Sequence, residues 1–218
     1  MTIVACFTNF AVNKGIDAIF RAQSLGAPAT FYAALMKIRG KWVASTAYSS
    51  GDYIVPNTAN GRLYKCTTAG TSAASEPTFG VVNGGTTSDG TAVWTEQTTA
   101  MEAGTFPTEI SGGAYARVPI TSSLANWAGT QGAGTTVASS GTSGVTSNNA
   151  AITWPTPTAD WTPAAPPQGA AAAVMVLFDA STSGNPWLYG VLNNIQTILN
   201  GNAAPSAAAA AVSFGLLP

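Results

Sequence analysis

Three carboxylates, Asp52, Asp89 and Glu96, lie within one short stretch and are the first residues to consider for chemistry. A pair of such groups is what a glycosidase uses to protonate a leaving group and to attack a sugar. However, Asp52 and Asp89 each adjoin a glycine, where an Asp side chain usually bonds its own backbone in a turn. The sequence also contains no histidine, which excludes Ser-His-Asp triads and Cys-His pairs. We therefore expect no enzymatic activity, and an enzyme such as a depolymerase is the weakest hypothesis.

The same stretch is rich in aromatic rings, which suggest a second kind of site. Flat rings on a small β scaffold can stack on sugar faces, and Trp42, Tyr53 and Trp94 are the predicted glycan-binding residues. The alternative is that a small module needs large rings for its core, because each ring buries roughly 150–250 Å². We expect most of the rings to be core, with Tyr48 and Tyr64 foremost.

Metal and cofactor sites are not expected. Cys6 and Cys66 are the only cysteines, they are far apart, and no histidine is available to share a zinc ion with them. A disulfide between them satisfies parity, but a secreted scaffold would use more bridges, so two reduced thiols are favoured. The glycines at 112 and 113 precede a β segment rather than a helix, which argues against a phosphate-binding loop.

The composition points to a protein that functions inside an assembly or in a harsh medium. Of 218 residues, 46% are apolar but only 8% are charged, where about 25% is usual, and the formal net charge is −1. The cations Lys37, Arg39 and Lys41 are too few for a nucleic-acid surface. The longest apolar runs, 170–178 and 207–212, are well short of the roughly 20 residues of a membrane span. Residues 1–14 do not have the pattern of a secretion signal.

Periodicity predicts one substantial helix followed by strands. Thr8 can cap a helix in which Val12, Ile16, Ile19 and Phe20 share one apolar face, and the glycine and proline at 26 and 28 should end it. A strand is predicted at 29–36, and further strands at 115–120, 150–154, 174–178, 187–192 and 212–216. The predicted fold class is mainly β, an antiparallel β-sandwich with one N-terminal helix and a small inserted β module.

Turn clusters define the inserted module. They occur at 49–52, 58–61, 83–85 and 88–90, which indicates a compact unit with short strands. The predicted division is a discontinuous main domain, 1–38 and 99–218, and a module at 39–98. We expect the two ends of the module to lie close together at one edge of the main domain, and we expect removal of the module to be tolerated. The polar stretch 129–149 and the proline-rich stretch 154–168 are predicted surface loops.

Several short sequence motifs resemble motifs of known protein families. In the module these are WVASTAY (42–48), GD (51–52), GRLYKC (61–66), EP (76–77), SDG (88–90) and VWT (93–95), and outside it PATFYAAL (28–35), EISGGAYAR (109–117), SNNAAI (147–152), WP (154–155), LFDA (177–180) and LYG (188–190). The module resembles small chitin- and cellulose-binding modules and a module of phage tail and capsid proteins. The flanking domain resembles a family of small tailed-phage virion proteins usually labelled tail-fibre proteins.

This resemblance implies a non-enzymatic structural protein of the virion, assembled in the host cytoplasm. The main expectation is a capsid decoration (cement) protein that stabilises the shell and displays the module outward, with the major capsid protein or other virion proteins as partners. The alternative is a tail-fibre or baseplate component that binds a host surface polysaccharide. By analogy with shell proteins on three-fold positions, we expect a homo-trimer. No nucleic acid, membrane or cofactor is expected.

Overall fold

The computed structural model describes residues 3–129, 145–162 and 170–215, which form a mainly β fold, as predicted. The helices are α1 (Asn9–Phe20) and α2 (Thr98–Glu102). The strands are β1 (Ile3–Phe7), β2 (Thr30–Ile38), β3 (Gly40–Lys41), β4 (Ala47–Tyr48), β5 (Tyr53–Val55), β6 (Tyr64–Thr68), β7 (Gly70–Thr71), β8 (Thr86–Asp89), β9 (Ala92–Glu96), β10 (Val118–Thr121), β11 (Val145–Ser147), β12 (Ile152–Thr153), β13 (Ala171–Phe178), β14 (Pro186–Gln196), β15 (Ser206–Ala207) and β16 (Val212–Gly215).

The main sheet has seven strands in the order β10-β2-β13-β14-β1-β16-β11. Neighbouring strands are antiparallel except for the parallel pair β1 and β16. The strands predicted near 118, 152, 174, 187 and 212 all form, and all but β12 lie in this sheet; β12 pairs with β15. The predicted polar loop falls largely within 130–144, and part of the proline-rich one within 163–169, both outside the described residues.

The main sheet has two apolar faces, and its central strand β13 carries a bulge. The register shifts between Ala172 and Val174, so that Ala173 and Val174 both face the same side. Met175 then returns to the opposite face. An extra residue in a strand has this effect because side chains otherwise alternate strictly. Both faces of this central strand are buried, and each must therefore be covered by another layer.

One face is covered by segments of the main domain. Trp154, Trp161 and Trp187 pack there with apolar side chains of β2, β13, β14 and β16. Trp187 is held between two other rings, because Phe10 and Phe31 both meet it edge-on at centroid distances of 5.5 and 6.0 Å. The indole Nε1 of Trp154 donates to the carbonyl oxygen of Ala33 over 3.2 Å, so this buried polar group is satisfied.

The other face of the main sheet is covered in part by the module and in part by the segment after it, which contributes Met101 of α2 and Phe106. The module builds a five-stranded sheet in the order β3-β5-β6-β9-β8. Two residues of the module, Val55 in β5 and Leu63 directly before β6, belong to the same buried cluster as Ala34, Met36 and Val174 of the main sheet. The module therefore packs against the main sheet, which the sequence did not predict, and its outward display on the particle stays a prediction. The module covers part of an apolar face, and its removal would expose that part to water.

Helix α1 forms where it was predicted but ends earlier. The Oγ1 of Thr8 accepts a hydrogen bond from the backbone N–H of Ala11, as a cap should. The helix ends at Phe20 instead of near residue 26, because Ala22 adopts a left-handed conformation with φ of 53°. The N–H groups of Arg21 and Gln23 both bond to the carbonyl of Asp17, and these bonds close the C-terminal end of the helix.

A substitution at the contact between the layers tests whether they fold together. Leu63→Ala removes a fully buried side chain and should lower the free energy of unfolding by about 2–5 kcal/mol. Urea denaturation should show one transition at lower urea concentration, followed alike by far-UV circular dichroism and tryptophan fluorescence. The matched control is Val82→Ala, at an exposed site in the module, which should change stability by less than about 0.5 kcal/mol. Separate transitions of module and main sheet would contradict the shared core.

Candidate functional site

Two of the predicted glycan-binding rings are tied to one buried carboxylate. The indole Nε1 groups of Trp42 and Trp94 donate to the same Oδ2 of Asp89, over 2.7 and 2.8 Å. The backbone N–H of Ala73 donates to Oδ1 over 2.8 Å. Asp89 is only 1% exposed, so these three donors replace the water that the carboxylate loses on folding.

The turn after β8 aims Asp89 inward. β8 and β9 are joined through Gly90, which has a φ of 61°. A Cβ at Gly90 would lie 2.3 Å from the carbonyl oxygen of Thr71, so only glycine fits there. Asp89 is the last residue of β8, and the predicted turn begins directly after it. Its side chain does not bond that turn but crosslinks Trp42 from the start of the module to Trp94 near its end.

The burial of these two rings corrects their predicted role. Trp42 is 5% exposed and Trp94 is fully buried. The ring of Tyr48 meets Trp94 edge-on at a centroid distance of 4.8 Å, and Phe79 also contacts it. A sugar can stack only on a ring face that solvent can reach. In this conformation Trp42 and Trp94 are core residues of the module and offer no such face.

Tyr53 is the third predicted ring, and it is half-buried at the edge of the interface. It packs against the cluster between the module and the main sheet. The ammonium group of its cross-strand neighbour Lys65 lies 5.6 Å from the ring centroid. A cation over the ring is a favourable contact and occupies space that a sugar would need. The structure thus separates Tyr53 from the two tryptophans, which lie in the module's own core.

Tyr48 and Tyr64 are buried, as predicted. The hydroxyl of Tyr64 accepts from Asn60 Nδ2 over 2.8 Å and donates to the carbonyl of Gly80 over 3.0 Å. The Tyr48 hydroxyl accepts from the N–H of Val43 over 2.9 Å. These bonds explain how a small module can bury phenols without leaving them unsatisfied.

The other two carboxylates are also held by protein donors. Glu96 is 1% exposed and pairs with Arg62 over 3.1 Å, while the N–H groups of Gly84 and Thr98 donate to its second oxygen over 2.9 and 3.0 Å. Asp52 accepts from the N–H of Ser49 and pairs with Arg39. General acid or base catalysis needs a carboxyl oxygen within reach of the substrate. Here the carboxylates are engaged in holding loops.

A second polar network, which was not predicted, follows the module. Glu109 binds Arg117 through two parallel hydrogen bonds, Nε to Oε1 over 2.9 Å and Nη2 to Oε2 over 2.7 Å. Arg117 also donates to the carbonyls of Ala180 and Ser183, over 2.8 and 2.7 Å, and its guanidinium lies 3.8 Å from the ring centroid of Phe178. Arg117 thus ties the segment after the module to the loop after β13.

Tyr115 connects this network to the main sheet. Its hydroxyl accepts from the N–H of Leu35 over 2.9 Å and donates to Glu109 over 3.1 Å. Burial raises the pKa of Tyr115, so the phenol keeps the proton that it donates.

The sequence held a signal for this network, because Arg117 is the only Lys or Arg after residue 65. An isolated cation in a charge-poor chain often has one specific structural partner.

The thiols and acidic groups do not assemble a metal site in the part of the chain that the structure describes. Cys6 is exposed and Cys66 is buried, and both are free thiols. Burial raises the pKa of the Cys66 thiol, and its Sγ donates to the carbonyl of Thr68 over 3.1 Å. Among the described helices, none has the length and apolar character to cross a membrane.

Replacing the shared carboxylate tests its role. Asp89→Asn keeps the size but turns one acceptor oxygen into an amide donor that faces an indole N–H or a backbone N–H. We expect a loss of at least about 2 kcal/mol of folding free energy, together with red-shifted tryptophan emission as the indoles gain water. The control is Asp17→Asn, which breaks an exposed ion pair with Arg21 and should cost less than about 0.5 kcal/mol. Equal stability of the two variants would contradict the assigned role of Asp89.

Comparison with known proteins places the chain in a family. No curated protein matches it significantly. A family model described as podophage GP4 fiber I protein gp80 matches residues 80–214. The match begins inside the module, before β8, and continues through the main domain to β16. Since it covers more than half of the 218 residues, the chain belongs to the podophage GP4 fiber I protein family.

Proposed function

We propose that this protein is a non-enzymatic structural component of a podophage tail fibre. The observation that carries the proposal is the family match over residues 80–214, which names a fibre protein. A structural protein of the virion was expected from the sequence, with capsid decoration as the main hypothesis and a tail role as the alternative. The family supports the tail role over decoration.

The packing of polar groups supports a structural role. Asp89 and Glu96 are buried in the module, and each accepts several hydrogen bonds from the chain itself. The pair of Glu109 and Arg117 holds two loops together in the same way. Such groups fix one arrangement of the backbone instead of presenting reactive atoms to a substrate. A fibre subunit needs this rigidity, because it has to transmit contacts between neighbours.

The module has a structural task within this proposal. Val55 and Leu63 cover part of one apolar face of the main sheet, and the two tryptophans are the centre of its own core. The chain keeps few charges at its surface, which suits close contact with other virion proteins. Of the rings predicted to bind glycan, Tyr53 alone retains partial exposure, so glycan binding by the module has less support than its packing role.

The position of the protein in the particle tests the proposal. Antibodies raised against the purified chain, visualised with gold in the electron microscope, should label intact phage at the tail. Particles separated into heads and tails should retain the chain in the tail fraction. Label distributed over the whole head would contradict the tail-fibre assignment and restore the decoration hypothesis. The control is an antibody against the major capsid protein, which should give the head pattern.

A further inference from the structure

Three asparagines of this chain are followed by glycine, and an asparagine in this position is prone to lose its side-chain amide. The pairs are Asn60-Gly61, Asn83-Gly84 and Asn200-Gly201, and all six residues are exposed. In this reaction the backbone nitrogen of the glycine attacks the asparagine side chain, and glycine permits the close approach because it has no Cβ. Since exposure is alike at the three pairs, their hydrogen bonds are what distinguishes them.

The first pair is held through the side chain of Asn60. Its Nδ2 donates to the hydroxyl of Tyr64 over 2.8 Å, and its Oδ1 accepts from the N–H of Arg62 over 3.0 Å. Tyr64 is fully buried, so this amide is anchored to the core of the module. The side chain can turn toward the nitrogen of Gly61 only when these bonds break, which costs free energy.

The second pair is held at both of its reacting groups. Oδ1 of Asn83 accepts from the guanidinium of Arg62. The N–H of Gly84 donates to the buried carboxylate of Glu96 over 2.9 Å. Both bonds involve a charged group and are therefore stronger than bonds between neutral groups. The nitrogen that would attack is thus engaged by the same carboxylate that fixes this loop.

The third pair has no such restraint. Asn200 and Gly201 are the central residues of a turn, which is closed by a hydrogen bond from the N–H of Asn202 to the carbonyl of Leu199 over 3.1 Å. Gly201 has a φ of 81°, which glycine adopts without strain at this position of a turn. Within the part of the chain that the structure describes, neither the Asn200 side chain nor the Gly201 N–H has a hydrogen-bond partner. The two reacting groups can therefore meet without breaking a bond of the fold.

We propose that Asn200 is a site of spontaneous deamidation and that the fold directs the reaction to this residue instead of Asn60 or Asn83. The nitrogen of Gly201 forms a bond to Cγ of Asn200, and the bond from Cγ to the side-chain nitrogen breaks. The proton of the Gly201 N–H passes through solvent to the leaving nitrogen, which departs as ammonia. Water then opens the resulting succinimide ring at one of its two carbonyl groups. The product is aspartate or isoaspartate, and water is the one co-reactant.

The reaction changes the charge of this turn. Either product adds one negative charge to a chain whose formal net charge is −1. The N–H of Asn200 donates to Oδ1 of Asp160 over 2.8 Å, so the new carboxylate adds like charge beside Asp160. Proteins of a phage particle are not replaced after release, so the product accumulates as the particle ages. This last consequence rests on the proposed function, whereas the reaction itself does not.

Peptide mapping by mass spectrometry tests the site. The full chain is incubated folded at mildly alkaline pH and then digested under acidic conditions, where the reaction is slow. Asn200 should be converted at least about tenfold faster than Asn60 or Asn83, a factor that corresponds to about 1.4 kcal/mol of bonds broken before reaction. The matched control is the same chain unfolded in urea, in which the three pairs should react at similar rates. In the folded chain, an intact Asn200, or conversion of Asn60 or Asn83 at the same rate, would overturn the proposal.

A substitution separates Asn200 from every other source of new charge. On isoelectric focusing, the incubated wild-type chain should gain a more acidic species. Asn200→Gln keeps an amide, but its longer side chain reacts much more slowly with the following nitrogen, so this species should be lost. The matched control is Asn13→Gln, at an exposed asparagine that lysine follows, which should leave the species unchanged. The same amount of acidic species in Asn200→Gln as in the wild-type chain would contradict the assignment.

Discussion

The contact between the module and the second face of the main sheet is the constraint on which the structure depends. The bulge in β13 places Ala173 and Val174 side by side on that face, and the strand is buried on both sides. A sheet with two apolar faces is stable only as the middle of three layers. Trp154 and its neighbours form one outer layer, and the module together with Met101 and Phe106 forms the other. What looks in sequence like an appendage therefore completes the core.

The module can serve as a layer because its own interior is held rigidly. Asp89 joins the two tryptophans, and Glu96 joins Arg62 to the turn at Gly84. Buried charges of this kind are costly unless every acceptor is satisfied, and once satisfied they favour one backbone arrangement. The family match covers β8 and β9 of the module and the main domain from α2 to β16.

Local patterns predicted the elements but not their environment. The capping by Thr8, the apolar spacing in α1 and the alternation near β16 reflect local geometry, and both elements form, although α1 ends earlier than expected. Burial depends on contacts distant in sequence. The sequence does not distinguish a tryptophan that stacks on a sugar from one that binds Asp89. The spacing of apolar residues in a helix is also the same whether that side of the helix faces a core or solvent. For the same reason the packing of the module against the main sheet was not predicted, while its turns were located approximately.

Native-state hydrogen exchange tests most directly whether the two layers form one structure. The amides of β6 in the module and β13 in the main sheet should exchange with the same free energy of opening, and Leu63→Ala should lower both values equally. A module that exchanges by a separate opening of lower free energy, with β13 unaffected by the substitution, would contradict the shared core.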